Sequence, residues 1–220
     1  MTCDTVVISD IHLGSPVCNR EKVLKVLSLD FKRLIINGDL FDNYSFKRFN
    51  KKDWDILSKL RKLSKTHNII FIHGNHDSNG EFMSAIMGME FVEYYEFELN
   101  NSKFFLEHGD KYDHWIKHKP FITWFFTGIY YWLQRIDKSH RISRLTKKLS
   151  KSWIQAKDIV RTKFVEKRGK KYDVLMAGHT HHAEIVDCGA CVYVNSGSFC
   201  EVKCSYIKIY EHGNFELIFV

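Results

Sequence analysis

Five short polar motifs punctuate the 220-residue chain: Asp10-Ile-His12, Gly38-Asp39-Leu-Phe-Asp42, Gly74-Asn75-His76-Asp77, His108-Gly-Asp110 and Gly178-His179-Thr-His181. Their reactive residues are Asp, Asn and His, the set from which hard and borderline divalent cations draw their ligands. One such motif alone is weak evidence, because an isolated histidine is more often a hydrogen-bonded structural residue. Each of the five follows an apolar run, however, so their side chains can converge on the carboxyl edge of a single sheet. The glycines before Asp39, Asn75 and His179 let the backbone turn off each strand and come close to an ion.

The apolar runs that position these motifs alternate with helical patterns. Thr5 to Ser9, Arg33 to Ile36 and Ile69 to Ile72 read as strands, with helices over Glu21 to Leu29 and Trp54 to Lys65 between them. Such alternation predicts βαβ units around a buried sheet. A short helix follows over Glu81 to Met87. Tyr95 to Leu99 and Lys103 to Glu107 flank Asn100-Asn101-Ser102 and predict a hairpin. Strands are expected again at Val174 to Ala177, Ile185 to Asp187, Val192 to Asn195, Tyr206 to Tyr210 and Phe215 to Phe219.

Composition narrows the class. With 45% hydrophobic residues, 27% charged and only two prolines, the chain can bury a full core as one domain over residues 1–220. No run reaches the roughly 20 apolar residues of a membrane-spanning helix. The first strand follows almost directly on the N-terminus, so a cytoplasmic location is expected. In that compartment the six cysteines are expected to be thiols or metal ligands. The spacings of Cys188 and Cys191, and of Cys200 and Cys204, suit a structural zinc site, while Gly189-Ala190 also suits a hairpin turn.

The net charge of +7 is unevenly spread. Residues 111–171 carry 17 Lys and Arg against four acidic residues, a balance of +13, and the rest of the chain carries −6. The same segment holds Trp115, Trp124, Trp132 and Trp153. Pro120 opens an apolar helical run over Phe121 to Leu133, and Ile142 to Glu166 reads as basic amphipathic helix. Residues 111–171 therefore form a helical, basic, aromatic-rich insert with affinity for polyanions, whether phosphorylated substrate, anionic membrane or nucleic acid.

The ordered motifs resemble the calcineurin-like metallophosphoesterase superfamily over nearly the whole chain outside the insert. Within it, Ser9-Asp-Ile-His-Leu-Gly14, the Gly38 to Asp42 block, His108-Gly-Asp-Lys-Tyr-Asp113 and the basic insert are similar to the UDP-2,3-diacylglucosamine diphosphatase branch. The resemblance implies an α/β fold, a two-layered β-sandwich flanked by helices, with the insert as a helical cap. It also implies two divalent cations, manganese first, with iron and zinc compatible. Asp10, His12, Asp39 and His181 would hold one, and Asp39, Asn75, His108 and His179 the other, with Asp39 bridging. Cations roughly 3.5–4 Å apart share a hydroxide that attacks phosphorus directly, without a covalent enzyme intermediate.

On this resemblance His76 protonates the leaving oxygen and Asp77 orients its ring. In the diphosphatase branch an arginine commonly stands where this chain has His76. Asp42 and Asp110 are expected to orient ligands, and Asn195, Trp124 and Trp132 to touch substrate. Both ends of the insert adjoin implied ligands, so it should wall the site and favour a phosphorylated amphiphile at an anionic membrane surface, peripheral on the inner membrane. The substrate implied is UDP-2,3-diacylglucosamine, of the lipid A pathway, cleaved at its pyrophosphate. A phosphodiesterase or nuclease and a non-catalytic scaffold of the same fold are the alternatives; no obligate protein partner is implied.

Overall fold

The structure, a computed structural model, describes residues 3–113 and 151–220. Among the described residues, eleven strands build two sheets. The first has the order β11-β10-β1-β2-β3-β4, comprising Phe215–Phe219, Ser205–Tyr210, Cys3–Ile8, Arg33–Asn37, Asn68–Ile72 and Glu90–Val92. The second has the order β5-β6-β7-β9-β8, comprising Tyr95–Leu99, Ser102–Leu106, Val174–Ala177, Val192–Asn195 and Glu184–Asp187. Strands β1 to β4 run parallel, as do β6, β7 and β9. Each sheet therefore has a carboxyl edge shared by several strands.

Period-two alternation separates the faces of each strand. Val7, Ile35, Ile70 and Ile72 of the first sheet meet Phe104, Leu106, Val174, Met176 and Val194 of the second in one buried cluster, the centre of the sandwich. On the other face of the first sheet, Val6, Ile8, Leu34 and Ile36 pack under helices α1 (Arg20–Val26), α2 (Lys51–Leu63) and α3 (Gly80–Met87). Outside the second sheet, Phe105, Leu175, Ala177 and Tyr193 lie under Val160 and Phe164 of α4 (Lys151–Arg168). The expected two-layered sandwich flanked by helices is the fold found.

Local chemistry explains the helix ends. Asn19 accepts from the Lys22 amide at the start of α1. At α2, Asn50 and Asp53 form a reciprocal capping box. The predicted hairpin joins β5 to β6 through two residues, Asn100 and Asn101, both at positive φ, as tight primed turns require.

Three details add to the sequence reading. Strand β4, only three residues long, is an addition to the sequence reading. The C-terminal part of α4 lies within the expected 111–171 insert, yet Val160 and Phe164 belong to the body of the sandwich. Finally, Cys188 and Cys191 flank the β8–β9 turn, where the Cys188 amide donates to the Cys191 carbonyl. Cys200 and Cys204 belong to the core over the first sheet and Cys191 to the core outside the second, so among the described residues these thiols do not share a zinc site.

Candidate metal centre

Asp10 and His12 follow β1, Asp39 follows β2, and Asn75 follows β3. His108 follows β6, and His179 and His181 follow β7. The carboxyl edges of both sheets thus supply the cluster, where the sequence predicted the edge of one. Asp10, His12, Asp39, His179 and His181 all have φ between 50° and 63°, a left-handed conformation costing about 1–3 kcal/mol each outside glycine. Among the described non-glycine residues only Asn100 and Asn101 of the hairpin share it.

Backbone contacts impose that strain. The amides of Asp10 and His12 donate to the carbonyls of Gly38 and Asp39, at 3.1 and 3.0 Å, and the His179 amide donates to Asp10 Oδ2 at 3.0 Å. Gly38, at φ +83°, is glycine for a second reason: a Cβ there would stand 2.2 Å from His108 Nδ1. At Gly74 and Gly178 a Cβ would strike the carboxylates of Asp39 and Asp10, at 2.4 and 2.6 Å. These glycines admit neighbouring ligand-type side chains, a more specific reason than the turn read from sequence.

The side chains converge. His181 Nε2 lies 3.1 Å from Asp10 Oδ1 and 3.2 Å from His12 Nε2. Asp39 Oδ2 lies 3.4 Å from His108 Nε2 and 3.6 Å from His12 Nε2. Three overlapping sets each bring ligand atoms within 4.8 Å of one another: Asp10, His12 and His181; His12, Asp39 and His76; and Asp10, Asp39 and His108. His179 Nδ1 is 3.0 Å from Asn75 Oδ1, and the His179 and His108 rings are 5.4 Å apart.

Burial opposes charge on Asp10, yet His181 beside it holds the carboxyl down at about 2. Burial likewise works against Asp39, but His108 and His12 keep it well below the usual carboxylate range. His12 is driven down to about 3, mainly by burial, and so presents neutral imidazole. Burial would lower His108 too; the Asp39 carboxylate reverses this and raises it well above the ordinary value. This cluster of carboxylates and imidazoles fits divalent cations. Asp10 Oδ1 and His108 Nε2 are buried with ion-pair contacts, to His181 and Asp39, in place of well-aligned hydrogen bonds, and a cation would give each a ligand bond.

Around the cluster, several expected roles change. His76 Nδ1 lies 2.8 Å from the Asp42 carbonyl, which fixes its ring. Asp77 was expected in that role, but its buried carboxylate accepts instead from the amides of Asp39, at 2.6 Å, Gly74, at 3.1 Å, and Phe41. Burial and the nearby Asp39 push the Asp77 carboxyl well above its ordinary value. Asp42 stands 3.8 Å from His12 Nδ1 and pairs with Arg48 at 2.7 Å. Asp110 opens a 3₁₀ turn, Asp110–Tyr112, within electrostatic reach of His108.

Asn195 was expected to touch substrate. It is wholly buried, its Nδ2 donating to the Gly178 carbonyl at 2.7 Å and its Oδ1 accepting from the Gly197 amide at 3.0 Å, so it braces the turn that carries His179. Trp124 and Trp132 lie outside the described residues, as do Trp115, Pro120 and the Phe121 to Leu133 run. Sequence reasoning passed over Asp113, whose Oδ2 is 3.0 Å from His179 Nε2. Its signal was its place at the end of the His108 to Asp113 block.

The sequence pattern of the calcineurin-like phosphoesterases matches residues 4–183. A search of curated proteins returned no match. Among solved structures, an archaeal phosphodiesterase is 16% identical with a TM-score of 0.53, the match covering 98% of this chain and 99% of that one. The phosphoesterase Yfce of E. coli is 19% identical with a TM-score of 0.51, covering 94% and 87%. Vps29 of Chaetomium thermophilum is 13% identical with a TM-score of 0.51, covering 98% and 96%. At such identities these structures attest the fold, and the match over residues 4–183 places the chain in the calcineurin-like phosphoesterase family.

Proposed function

We propose that the protein is a dinuclear-metal phosphoesterase that hydrolyses a phosphoanhydride or phosphoester, with a UDP-2,3-diacylglucosamine-like lipid nucleotide as its first candidate substrate. The observation that carries this reading is the convergence of Asp10, His12, Asp39, His108 and His181 at the edges of two sheets, all but His108 in left-handed backbone. Asp10, His12, Asp39 and His181 would hold one cation, and Asp39, Asn75, His108 and His179 the other. When bound, such a pair lowers the pKa of water and neutralises charge on the phosphoryl oxygens.

The chain's own residues supply the rest. Asp39 Oδ2 stands 3.4 Å from His108 Nε2 and 3.6 Å from His12 Nε2, between rings assigned to the two cations, which suits a shared carboxylate. With Nδ1 donating to the Asp42 carbonyl, the His76 ring is held so that Nε2, when protonated, can give its proton to the departing oxygen. The basic segment 111–171 supports an anionic substrate, and its tryptophans support one with an apolar tail.

The test is a screen of manganese-loaded protein against lipid nucleotides, nucleotides and oligonucleotides. UMP release from the lipid nucleotide, enhanced by detergent micelles, is the expected result. His76→Ala should lower kcat by about 10²–10⁴-fold, and Asp39→Ala should abolish turnover. Salt-sensitive cleavage of oligonucleotides instead would move the substrate class to nucleic acid. Turnover that ignores both substitutions and metal removal would overturn the proposal.

A further inference from the structure

We propose that Asp113 is a positioning residue that fixes the ring and tautomer of His179, tying the start of the basic insert to one of the two cation sites. The inference rests on the metal reading above. Asp113 Oδ2 lies 3.0 Å from His179 Nε2, and the Asp113 side chain is only 12% exposed. A carboxylate has no proton to give, so His179 donates Nε2–H to it. In the neutral ring this leaves the Nδ1 lone pair aimed at Asn75 Oδ1, 3.0 Å away. Two acceptors facing each other at that distance call for a cation, and a histidine that ligates metal typically gives its other N–H to a carboxylate or carbonyl.

A similar division of labour recurs at two other rings. His108 Nδ1 is 2.8 Å from the Asn37 carbonyl, which leaves Nε2 facing Asp39, and His76 Nδ1 is held by the Asp42 carbonyl. Those partners are backbone atoms within the sandwich. His179 alone of the three takes a charged side chain.

That side chain stands on a built platform. The Asp113 amide donates to the Asp110 carbonyl, closing the 3₁₀ turn at 3.0 Å. Within the turn, buried Tyr112 donates its hydroxyl to buried Glu107 at 2.8 Å and stacks on Phe164 of α4 at 5.1 Å. Lys111 spans Glu107 and Glu93 at 3.1 and 3.0 Å. The carboxylate is therefore held both by the segment that carries Glu107 and His108 and by the C-terminal part of α4, so displacement of residues 111–113 would be felt at His179.

The test is calorimetric titration of the chelator-stripped full chain with Mn²⁺, which reads affinity without turnover. Wild type should take two equivalents. In Asp113→Asn one equivalent should keep its affinity and the other weaken by about 10- to 100-fold, with Asp113→Glu recovering part of the loss. In a His179→Ala background, adding Asp113→Asn should cost nothing more, because the carboxylate acts through that ring. The urea midpoint of each variant controls for folding. Two wild-type affinities in Asp113→Asn, or an equal further loss in the His179→Ala background, would overturn the inference and leave the phosphoesterase reading standing. A wild-type chain that takes up no manganese would overturn both.

Discussion

Strain and close approach at single residues are the signature of this site. Gly38 shows both: positive φ, and a His108 ring occupying the place of the missing Cβ. Gly38→Ala should cost about 1–2 kcal/mol for the torsion alone, more for the displaced ring, and should weaken manganese binding; an unchanged urea midpoint and an unchanged titration would refute this. Cys18 offers a test by pH. Burial pushes its thiol up to about 12 from an ordinary 9.0, so above pH 9 the unfolded chain ionises while the native thiol stays protonated. Stability contributed by this group is full below pH 9 and falls as pH rises, by about 1 kcal/mol at pH 10. Cys18→Ala should lose that part of the alkaline slope in urea unfolding followed from pH 8 to 10. The ligand-type residues were readable in the sequence because each sits in a short motif beside a strand. The partners that orient them were not. The Asp42 carbonyl on His76 is a backbone atom without a residue signature, and Asp77, adjacent in sequence, turns its carboxylate to the Asp39 amide instead.

Elements, in turn, are fixed by caps and by contacts distant in sequence. Asp53 closes the capping box of α2, accepting from the Asn50 amide at 2.8 Å, and also receives Arg20 Nε at 2.7 Å and the Gly14 amide at 3.3 Å. One buried carboxylate thus joins α2, α1 and the loop that leaves His12. Asp53→Ala would leave the Arg20 guanidinium, whose side chain is 11% exposed, with only the Cys18 and Ser15 carbonyls and no counter-charge, and should cost about 3–5 kcal/mol in urea unfolding; a loss below 1 kcal/mol would show that water takes over the pairing. Periodicity revealed nearly every described strand and helix, and the Asn100-Asn101 turn, because each is a local pattern. It missed β4, whose three residues are too few to show a period and which is held by parallel pairing to Ile70, Phe71 and Ile72. The role of Asn195 was misread for a related reason: turn chemistry was visible, but its burial against the β7 turn comes from the pairing of β7 with β9.

For the whole molecule, the decisive feature is that the two sheets contribute to one centre. Asp10, His12, Asp39 and Asn75 come from the first sheet, and His108, His179 and His181 from the second, so a bound cation would staple the edges of a sandwich whose middle is an apolar cluster. Without it, these buried carboxylates and imidazoles have mainly one another as partners across that seam. Cation binding to the native state alone should therefore stabilise the fold, by about 2.7 kcal/mol at one hundred times the dissociation constant. For a chain of this size each kcal/mol raises Tm by about 2–4 °C, so chelator-stripped protein should melt roughly 5–10 °C below the same protein in excess manganese. The gain should grow with the logarithm of manganese concentration. It should shrink in Asp39→Ala, which removes the residue common to both proposed sites, and in that variant the melting temperature should respond little to added metal. Equal melting curves for wild type with and without manganese would remove the staple, and with it the reason for seven ligand-type side chains to meet where the two sheets end.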